Sequence, residues 1–201
     1  MAMSFKVYLK RCQHIVNLVV FVLMFSVTSF NYYLVNFYLK YIPGNVFINT
    51  IVAAVADFIA HILAGVIVRF IGNRNAFTLS FILTFVSGIL LWYFANNDMI
   101  DKVPYAVLSA KFGASAAFAM LYMSTISYFP SRFMGIVFGI CNVTARAITI
   151  LAPMIAEAPE PIPEISMVIS CFVASILSRC IVKTDEVKPS PEELRNLQKY
   201  A

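Results

Sequence analysis

The sequence predicts an all-α polytopic membrane protein with six transmembrane helices. Of the 201 residues, 61% are hydrophobic and 12% are charged, whereas an ordinary soluble domain carries about 25% charged residues. A soluble domain of this size leaves too much surface exposed to hide so many apolar side chains, so lipid must cover them. The sequence also lacks the alternating segments of about ten residues that are typical of a transmembrane β-barrel, which favours helices.

Six apolar segments reach the length of roughly 20 residues that a helix needs to cross a bilayer. In chain order they are 15–38, 45–68, 75–94, 104–126, 134–156 and 165–182. They divide the chain into a basic amphipathic lead-in over 1–14, a six-helix bundle over 15–182 and a polar tail over 183–201. In the tail, Ser190 is predicted to cap a short helix, and Glu193 closes its capping box.

The distribution of charge predicts the orientation. Lysine and arginine gather near the two ends and in the loops after the second and fourth spans. The other loops contain the acidic residues Asp98, Asp101, Glu157, Glu160 and Glu164. By the positive-inside rule, both termini are expected on the cytoplasmic side, or on the matrix side of an organelle. The acid-free lead-in favours the mitochondrial inner membrane, with the plasma membrane as the alternative. The net charge of +5 then follows from topology, and a nucleic-acid partner is not expected.

The loop before the last span is rich in proline and acid. Residues 157–164 contain three prolines together with Glu157, Glu160 and Glu164. Prolines at alternate positions favour an extended polyproline conformation. We therefore expect a solvated acidic loop in preference to a cation site.

Ionisable residues inside the spans are the best candidates for function, because burying one costs several kcal/mol unless it is paired or hydrated. Asp57 and His61 lie four residues apart in the second span and share a helix face. Arg146 lies near the middle of the fifth span, whereas Lys111 lies near enough to the end of the fourth for its ammonium to reach water. These four residues predict a polar substrate or proton site between helices. The alternative is a structural Asp57–Arg146 ion pair.

Catalytic and metal-binding motifs are missing from the sequence. It contains no glycine-rich phosphate loop, no nucleophile elbow and no His-Glu metal motif, so no enzyme activity, cofactor or metal is expected. The four cysteines lack the spacing of a metal site and are expected to be buried apolar side chains. Small residues over 113–117, and the pair Gly135 and Gly139, are expected to allow close helix packing.

Several short motifs occur in an order that resembles a known transporter family. They are Asn31-Tyr32-Tyr33, the turn Gly72-Asn73-Arg74, the run 111–119, Tyr128-Phe129-Pro130-Ser131, Ala145-Arg146 and Leu151-Ala152-Pro153. Together they resemble the second half of the organic cation, anion and carnitine transporters of the major facilitator superfamily, over roughly residues 5–182. Members of that family have about twelve spans, with the substrate cavity between two six-helix halves. The resemblance therefore implies one half of a major facilitator superfamily fold.

The resemblance also implies roles for single residues. Tyr32 and Tyr33 would line the substrate cavity. If the protein transports, these tyrosines and the intramembrane residues Asp57, His61, Lys111 and Arg146 are the expected substrate-binding residues. A basic residue at the position of Arg146 is typical of the anion and carnitine branches, so an anionic or carnitine-like substrate is implied.

The gate motif of the family is degenerate in this chain. Its positions are Asn73, Arg74, Ser127, Pro130, Arg132 and Met134. Ser127 replaces a family glutamate, Met134 replaces an arginine, and Asn73 replaces one of the two arginines of the turn. The charges that help to latch the alternating states of the family are therefore missing.

Three hypotheses follow from a half-length transporter fold. In the first, which the lost latch favours, the chain is a non-transporting accessory or structural subunit of a larger membrane complex. In the second, two copies, or this chain with a separate first half, form a working transporter of organic anions or carnitine-like solutes. In the third, the chain is a fragment of a longer transporter, against which the initial methionine and the capped tail argue. The expected partners are the lipid bilayer and other membrane subunits, or a second half or copy.

Overall fold

A computed structural model describes residues 12–41, 46–97, 99–129, 131–159 and 161–181. In these residues the helices are α1 (Cys12–Tyr38), a 3-10 turn (Leu39–Tyr41), α2 (Val46–Ile71), α3 (Asn73–Asn96), a second 3-10 turn (Ile100–Lys102), α4 (Val103–Tyr128), α5 (Ser131–Thr149), α6 (Leu151–Ala156) and α7 (Ile162–Arg179). Most of the predicted lead-in and the capped helix at Ser190 and Glu193 lie outside the described residues.

The prediction of an all-helical chain with six membrane spans is confirmed. The helices long and apolar enough to cross a membrane are His14–Tyr38, Phe47–Ile71, Asn73–Phe94, Val103–Tyr128, Phe133–Ala156 and Ile162–Arg179. No boundary differs from the predicted one by more than three residues, as at the start of the last span, where 165 was predicted and 162 is observed.

The centre of the bundle is formed by α1 and α4. Helix α1 packs against α4, α5, α6 and α7, while α4 packs against α1, α2 and α3. Phe21 and Phe25 of α1 and Met120 and Leu121 of α4 are almost completely buried in the same cluster. Helices α2 and α5 lie at the periphery and expose most of their side chains.

Two glycines are required by the backbone. Gly72, between α2 and α3, has a φ of 76°, in the left-handed region that glycine adopts without a steric penalty. Gly113 of α4 lies against α3, where an added Cβ would contact the Thr84 hydroxyl and approach the Ser80 carbonyl oxygen to 3.0 Å. The predicted close packing at Gly113 is therefore confirmed.

Prolines explain two differences from the predicted elements. The fifth span is divided into α5 and α6 at Ile150, because Pro153 has no N–H to donate to the carbonyl one turn earlier. The acidic loop is also shorter than predicted, because α7 begins at Ile162 and Pro163 occupies its first turn, where a missing N–H is tolerated.

The prediction of a solvated acidic loop is wrong for Glu164. That residue lies in the first turn of α7 and is only 1% exposed. Glu157 is exposed, as expected, and its carboxylate pairs with the Lys40 ammonium at 2.8 Å. The hydrogen bond from Lys40 and its positive charge lower the pKa of Glu157. Glu160 lies outside the described residues.

The predicted burial of the cysteines is confirmed for two of them. Cys141 and Cys171 are buried, whereas Cys180, just beyond α7, is exposed, so the prediction is wrong there. All three are free thiols.

Candidate functional site

Asp57 and Lys111 form an ion pair between α2 and α4. The Lys111 Nζ lies 3.1 Å from Oδ2 of Asp57, and the two side chains are 1% and 20% exposed respectively. An ion pair this deep is stable only when its remaining hydrogen-bonding groups are also satisfied. The neighbouring side chains therefore decide what the pair does.

Three further side chains complete the pair. The Tyr32 hydroxyl donates to Oδ2 of Asp57 at 3.1 Å, and the Ser115 hydroxyl donates to Oδ1. The Lys111 ammonium donates to Oδ1 of Asn36 and lies 3.7 Å from the centroid of the Tyr32 ring, within the range of a cation–π interaction. The cluster joins α1, α2 and α4, and both charges have hydrogen-bond partners.

Two sequence expectations about these charges are wrong. Asp57 pairs with Lys111 and not with Arg146. Lys111 does not extend toward water, because its ammonium points inward to Asp57 and Asn36. Lys111 is near the end of its span, but the rotation of α4 turns its side chain toward the interior.

Arg146 occupies a separate place, between α5 and α1. Its guanidinium donates to the Tyr33 hydroxyl and lies 5.3 Å from the centroid of the Tyr33 ring, while the residue as a whole is exposed. The Tyr33 ring meets the Tyr32 ring edge-on at 5.6 Å. The two tyrosines therefore connect the exposed arginine to the buried Asp57–Lys111 pair.

The His61 ring is not part of the Asp57–Lys111 cluster. The imidazole is exposed, and its Nδ1 lies 2.7 Å from the backbone carbonyl of Asp57, one turn earlier in the same helix. Asp57 and His61 share a helix face, but no hydrogen bond joins their side chains in the part of the chain that the structure describes.

The described residues of the gate motif lie at one end of the bundle, at the starts of α3 and α5 and the end of α4. The Arg74 guanidinium donates to the backbone carbonyl of Arg179, and Arg179 donates to Oδ1 of Asn75 at 3.1 Å. The start of α3 is thereby joined to the C-terminal end of α7, where a positive charge is favoured by the helix dipole.

The other described gate positions are Asn73, Ser127 and Met134. Asn73 is the first residue of α3. The Ser127 hydroxyl donates to the Met123 carbonyl of its own helix at 3.5 Å, and Met134 is half-buried. Pro130, and the side chain of Arg132, lie outside the described part of the chain.

Sequence reasoning missed two members of the cluster, Asn36 and Ser115. Each lies four residues after a residue that was identified, Asn36 after Tyr32 and Ser115 after Lys111. Because side chains four apart share a helix face, this spacing was the signal that could have found them.

The site is suited to binding and to holding helices together. Asp57 and Lys111 neutralise each other, so Arg146 contributes the uncompensated positive charge of this region. Among the described residues, no group of three His, Cys, Asp or Glu side chains is placed to hold a metal ion. The side chains brought together offer charge, hydroxyl groups and aromatic faces.

The similarity to transporters is also found by comparison with known proteins. No protein-family model matches the chain. It is 25% identical over 140 residues to solute carrier family 22 member 4 of Mus musculus, covering 66% of this chain and 24% of that protein. It is 28% identical over 112 residues to organic cation/carnitine transporter 2 of Homo sapiens, covering 55% of this chain and 20% of that protein.

A third relative, solute carrier family 22 member 21 of Mus musculus, is 28% identical over 112 residues, 55% of this chain and 19% of that protein. The chain thus matches less than a quarter of the length of each of these relatives. These similarities and the six spans identify a transporter-like integral membrane protein. The relatives are transporters rather than enzymes, which fits the expectation of a protein without catalytic activity.

Proposed function

We propose that the chain is one six-helix unit of a larger membrane complex, built like half of a major facilitator superfamily transporter, and that it serves there as a non-transporting accessory subunit. The observation that carries the proposal is the outward face of α5. Gly135, Gly139 and Arg146 are all exposed, and their spacings of four and seven residues place them on one side of the helix. Asn142 lies on the same side.

The two glycines of this face are not packed against another described helix. A Cβ added to Gly135 or Gly139 would meet no atom within 4 Å in the described residues. Among the described residues, the prediction that these two glycines allow close packing is therefore wrong. Two small residues four apart are the feature that lets a second helix approach closely in a membrane, so the face fits a helix of another subunit.

Exposing this face of α5 to lipid would cost free energy because it carries Arg146. It lies 13 residues after Phe133 and 10 before Ala156 in its span, roughly 20 Å and 15 Å from the two ends at 1.5 Å per residue. An arginine at the centre of a span costs about 2.5–3.5 kcal/mol on the scale measured for insertion. Tyr33 provides one acceptor, so protein or water must supply the others.

The use of the gate residues supports the accessory role. Arg74, the arginine that remains of the turn, donates within the chain to the end of α7. Ser127, at the position of the family glutamate, has no acidic group and donates to the backbone of its own helix. The carboxylate that a latch between halves requires is therefore missing at this position. A transporting half needs such a latch, whereas a structural subunit does not.

Site-specific photo-cross-linking in the native membrane tests the proposal. A photoreactive amino acid at Val143, which is 73% exposed on the outward side of α5, should give a cross-link to another polypeptide. The matched position is Ile169, 59% exposed on α7, which should give none. Lipid adducts alone from both positions would overturn the proposal.

A second candidate function is transport of organic anions or carnitine-like solutes, by a homodimer or by this chain with a separate first half. The edge-on pair Tyr32 and Tyr33 and the exposed Arg146 favour it, because they place aromatic rings and one positive charge next to each other. Halves of this fold are related by an axis along the membrane normal, so a two-fold copy is geometrically allowed.

Uptake by the purified chain in liposomes separates the two functions. Saturable carnitine or organic-anion uptake that Arg146→Ala abolishes, and that Lys40→Gln leaves unchanged, would establish transport and reject the accessory role. The absence of uptake, together with a Val143 cross-link to a different polypeptide, is the result expected for an accessory subunit.

A further inference from the structure

A cleft of about 450 Å³ opens between the end of α3 and the start of α7. This volume lies within the range of roughly 300–1,000 Å³ that is typical of ligand pockets. The side chains that line the cleft are Ile89, Trp92, Pro161, Glu164, Ile165 and Val168. One turn deeper than Trp92 the helices approach closely, because a Cβ added to Gly88 would lie 2.9 Å from side-chain atoms of α7. The cleft is therefore a wedge that is closed toward the middle of the membrane.

The open end of the cleft lies at the level of the membrane surface. Trp92 comes two residues before the end of its span at Phe94, and Glu164 comes two residues after the start of its span at Ile162. Both therefore lie roughly 3 Å from the span ends at 1.5 Å per residue. Tryptophan is enriched at this level, where lipid headgroups meet the hydrocarbon. A molecule in the cleft has its polar end near the headgroups and its apolar end in the hydrocarbon.

Glu164 is the acidic side chain of the cleft, and it is only 1% exposed. The Tyr38 hydroxyl donates to its Oε1 at 2.8 Å, whereas Oε2 has no hydrogen-bond partner among the described residues. On its other side Glu164 borders a second space of about 10 Å³, which holds one water molecule at most. A buried acceptor without a donor costs free energy, so the cleft favours a ligand that brings a donor.

The lysines described at this end of the bundle have other contacts. Lys40 pairs with Glu157, and Lys111 pairs with Asp57. The Lys102 ammonium lies 5.9 Å from the centroid of the Phe94 ring. The ion pairs of the described residues thus leave Glu164 without a cation, and an external ammonium group has the charge and the N–H donors that its carboxylate lacks.

We propose that the cleft binds a phospholipid with a primary ammonium headgroup, of the phosphatidylethanolamine type. The ammonium donates to Oε2 of Glu164, and the Trp92 indole offers it an aromatic face. A choline headgroup carries the same charge but has no N–H, so it cannot make this hydrogen bond. The acyl chains follow exposed apolar side chains that continue the same faces of α3 and α7 below the cleft, namely Ile82, Val86, Ile169, Phe172 and Ile176.

The lipid site is independent of the accessory role and of what covers α5. The cleft and the apolar side chains below it belong to α3 and α7, and Ile169, where no polypeptide cross-link is expected, is one of those side chains. The site therefore assigns a specific lipid to this side of the bundle, whether or not the chain transports a solute.

Quenching of tryptophan fluorescence by brominated lipids tests the proposal, because Trp92 is the single tryptophan of the chain. The purified protein is placed in phosphatidylcholine vesicles that contain phosphatidylethanolamine or phosphatidylcholine with brominated acyl chains. Brominated phosphatidylethanolamine should reach half-maximal quenching at a mole fraction about tenfold lower, the factor that one hydrogen bond to a charged group contributes. Brominated N,N-dimethyl phosphatidylethanolamine, which keeps one N–H, should retain most of this preference.

A pair of variants links the preference to one carboxylate. Glu164→Gln should quench equally with the two headgroups, whereas Glu157→Gln, which removes an exposed carboxylate that pairs with Lys40, should keep the wild-type preference. A preference that survives in folded Glu164→Gln rejects the assignment of that residue.

The comparison of headgroups on the wild-type protein decides the proposal even if Glu164→Gln does not fold. Equal quenching by the ethanolamine and choline lipids would mean an unselective lipid layer, with water alone on Oε2, and would overturn the proposal. Quenching by neither lipid would mean that a polypeptide or another molecule covers Trp92, which overturns it as well. Equal quenching by the N,N-dimethyl and choline lipids would reject the hydrogen bond as the cause of selectivity.

Discussion

Replacing Asp57 by asparagine leaves the Lys111 ammonium buried without its counter-charge. At the observed separation of 3.1 Å, the Coulomb attraction is about 5 kcal/mol for an effective dielectric constant of about 20. Desolvation offsets part of this attraction, and removing one partner of a buried pair typically costs about 3–5 kcal/mol. We expect Asp57→Asn to lower the free energy of unfolding by about that amount, measured by reversible unfolding in mixed detergent micelles.

The reciprocal change should be less damaging. In Lys111→Met, Asp57 keeps the hydrogen bonds from Tyr32 and Ser115, and its side chain is 20% exposed, so we expect a loss of about 3 kcal/mol, at the lower end of the range. The double variant Asp57→Asn/Lys111→Met removes both charges and should be at least as stable as Lys111→Met alone.

The exposed ion pair gives the control for this cycle. Lys40→Gln breaks the pair with Glu157, where both side chains are in contact with water, and it should change the unfolding free energy far less than loss of the buried pair does. If the losses of the two single variants simply add in the double variant, Asp57 and Lys111 are not coupled. The assignment of a buried pair would then be incorrect.

Three further outcomes test the packing and the loop electrostatics. Gly113→Ala should lose about 1–3 kcal/mol because its Cβ meets α3, while the same change at Gly135 meets open space and should gain about 0.5 kcal/mol. Phe25→Ala should lose about 3–5 kcal/mol in the same assay, because the ring is 1% exposed. Lys40→Gln should raise the pKa of Glu157, measured by a carbon-13 NMR titration, because Lys40 lowers that pKa. The stabilisation from the pair is present above the ordinary glutamate pKa of about 4.3. It is lost as the pH falls through the lowered pKa of Glu157.

The spans could be predicted because lipid imposes a simple requirement on the sequence. A helix must be apolar over roughly 20 residues whatever its neighbours are, so the local composition is sufficient. The largest differences are at the ends, as at Ile162, where a proline in the first turn of α7 marks a helix start and not an extended loop.

The partners of the intramembrane charges could not be predicted in the same way. Helical spacing tells which residues of one helix share a face, but it does not tell which helix lies opposite. The sequence therefore suggested Arg146 as the alternative partner of Asp57, whereas the packing of α2 against α4 selects Lys111. Depth along the axis suggested that Lys111 reaches water, whereas the rotation of α4, which the sequence does not reveal, turns it inward.

The arrangement of charge favours a different subunit over a second copy as the neighbour of α5. In a homodimer with a two-fold axis along the membrane normal, α2 of one copy would be the neighbour of α5 if the axis passed between these two helices. The single acidic residue in α2 is Asp57, and it is already held by Lys111, Tyr32 and Ser115. In that arrangement α2 would offer Arg146 no free carboxylate, because its exposed side chains are mostly apolar. An acidic or amide side chain of a separate subunit at this depth would satisfy Arg146, and so would an anionic solute.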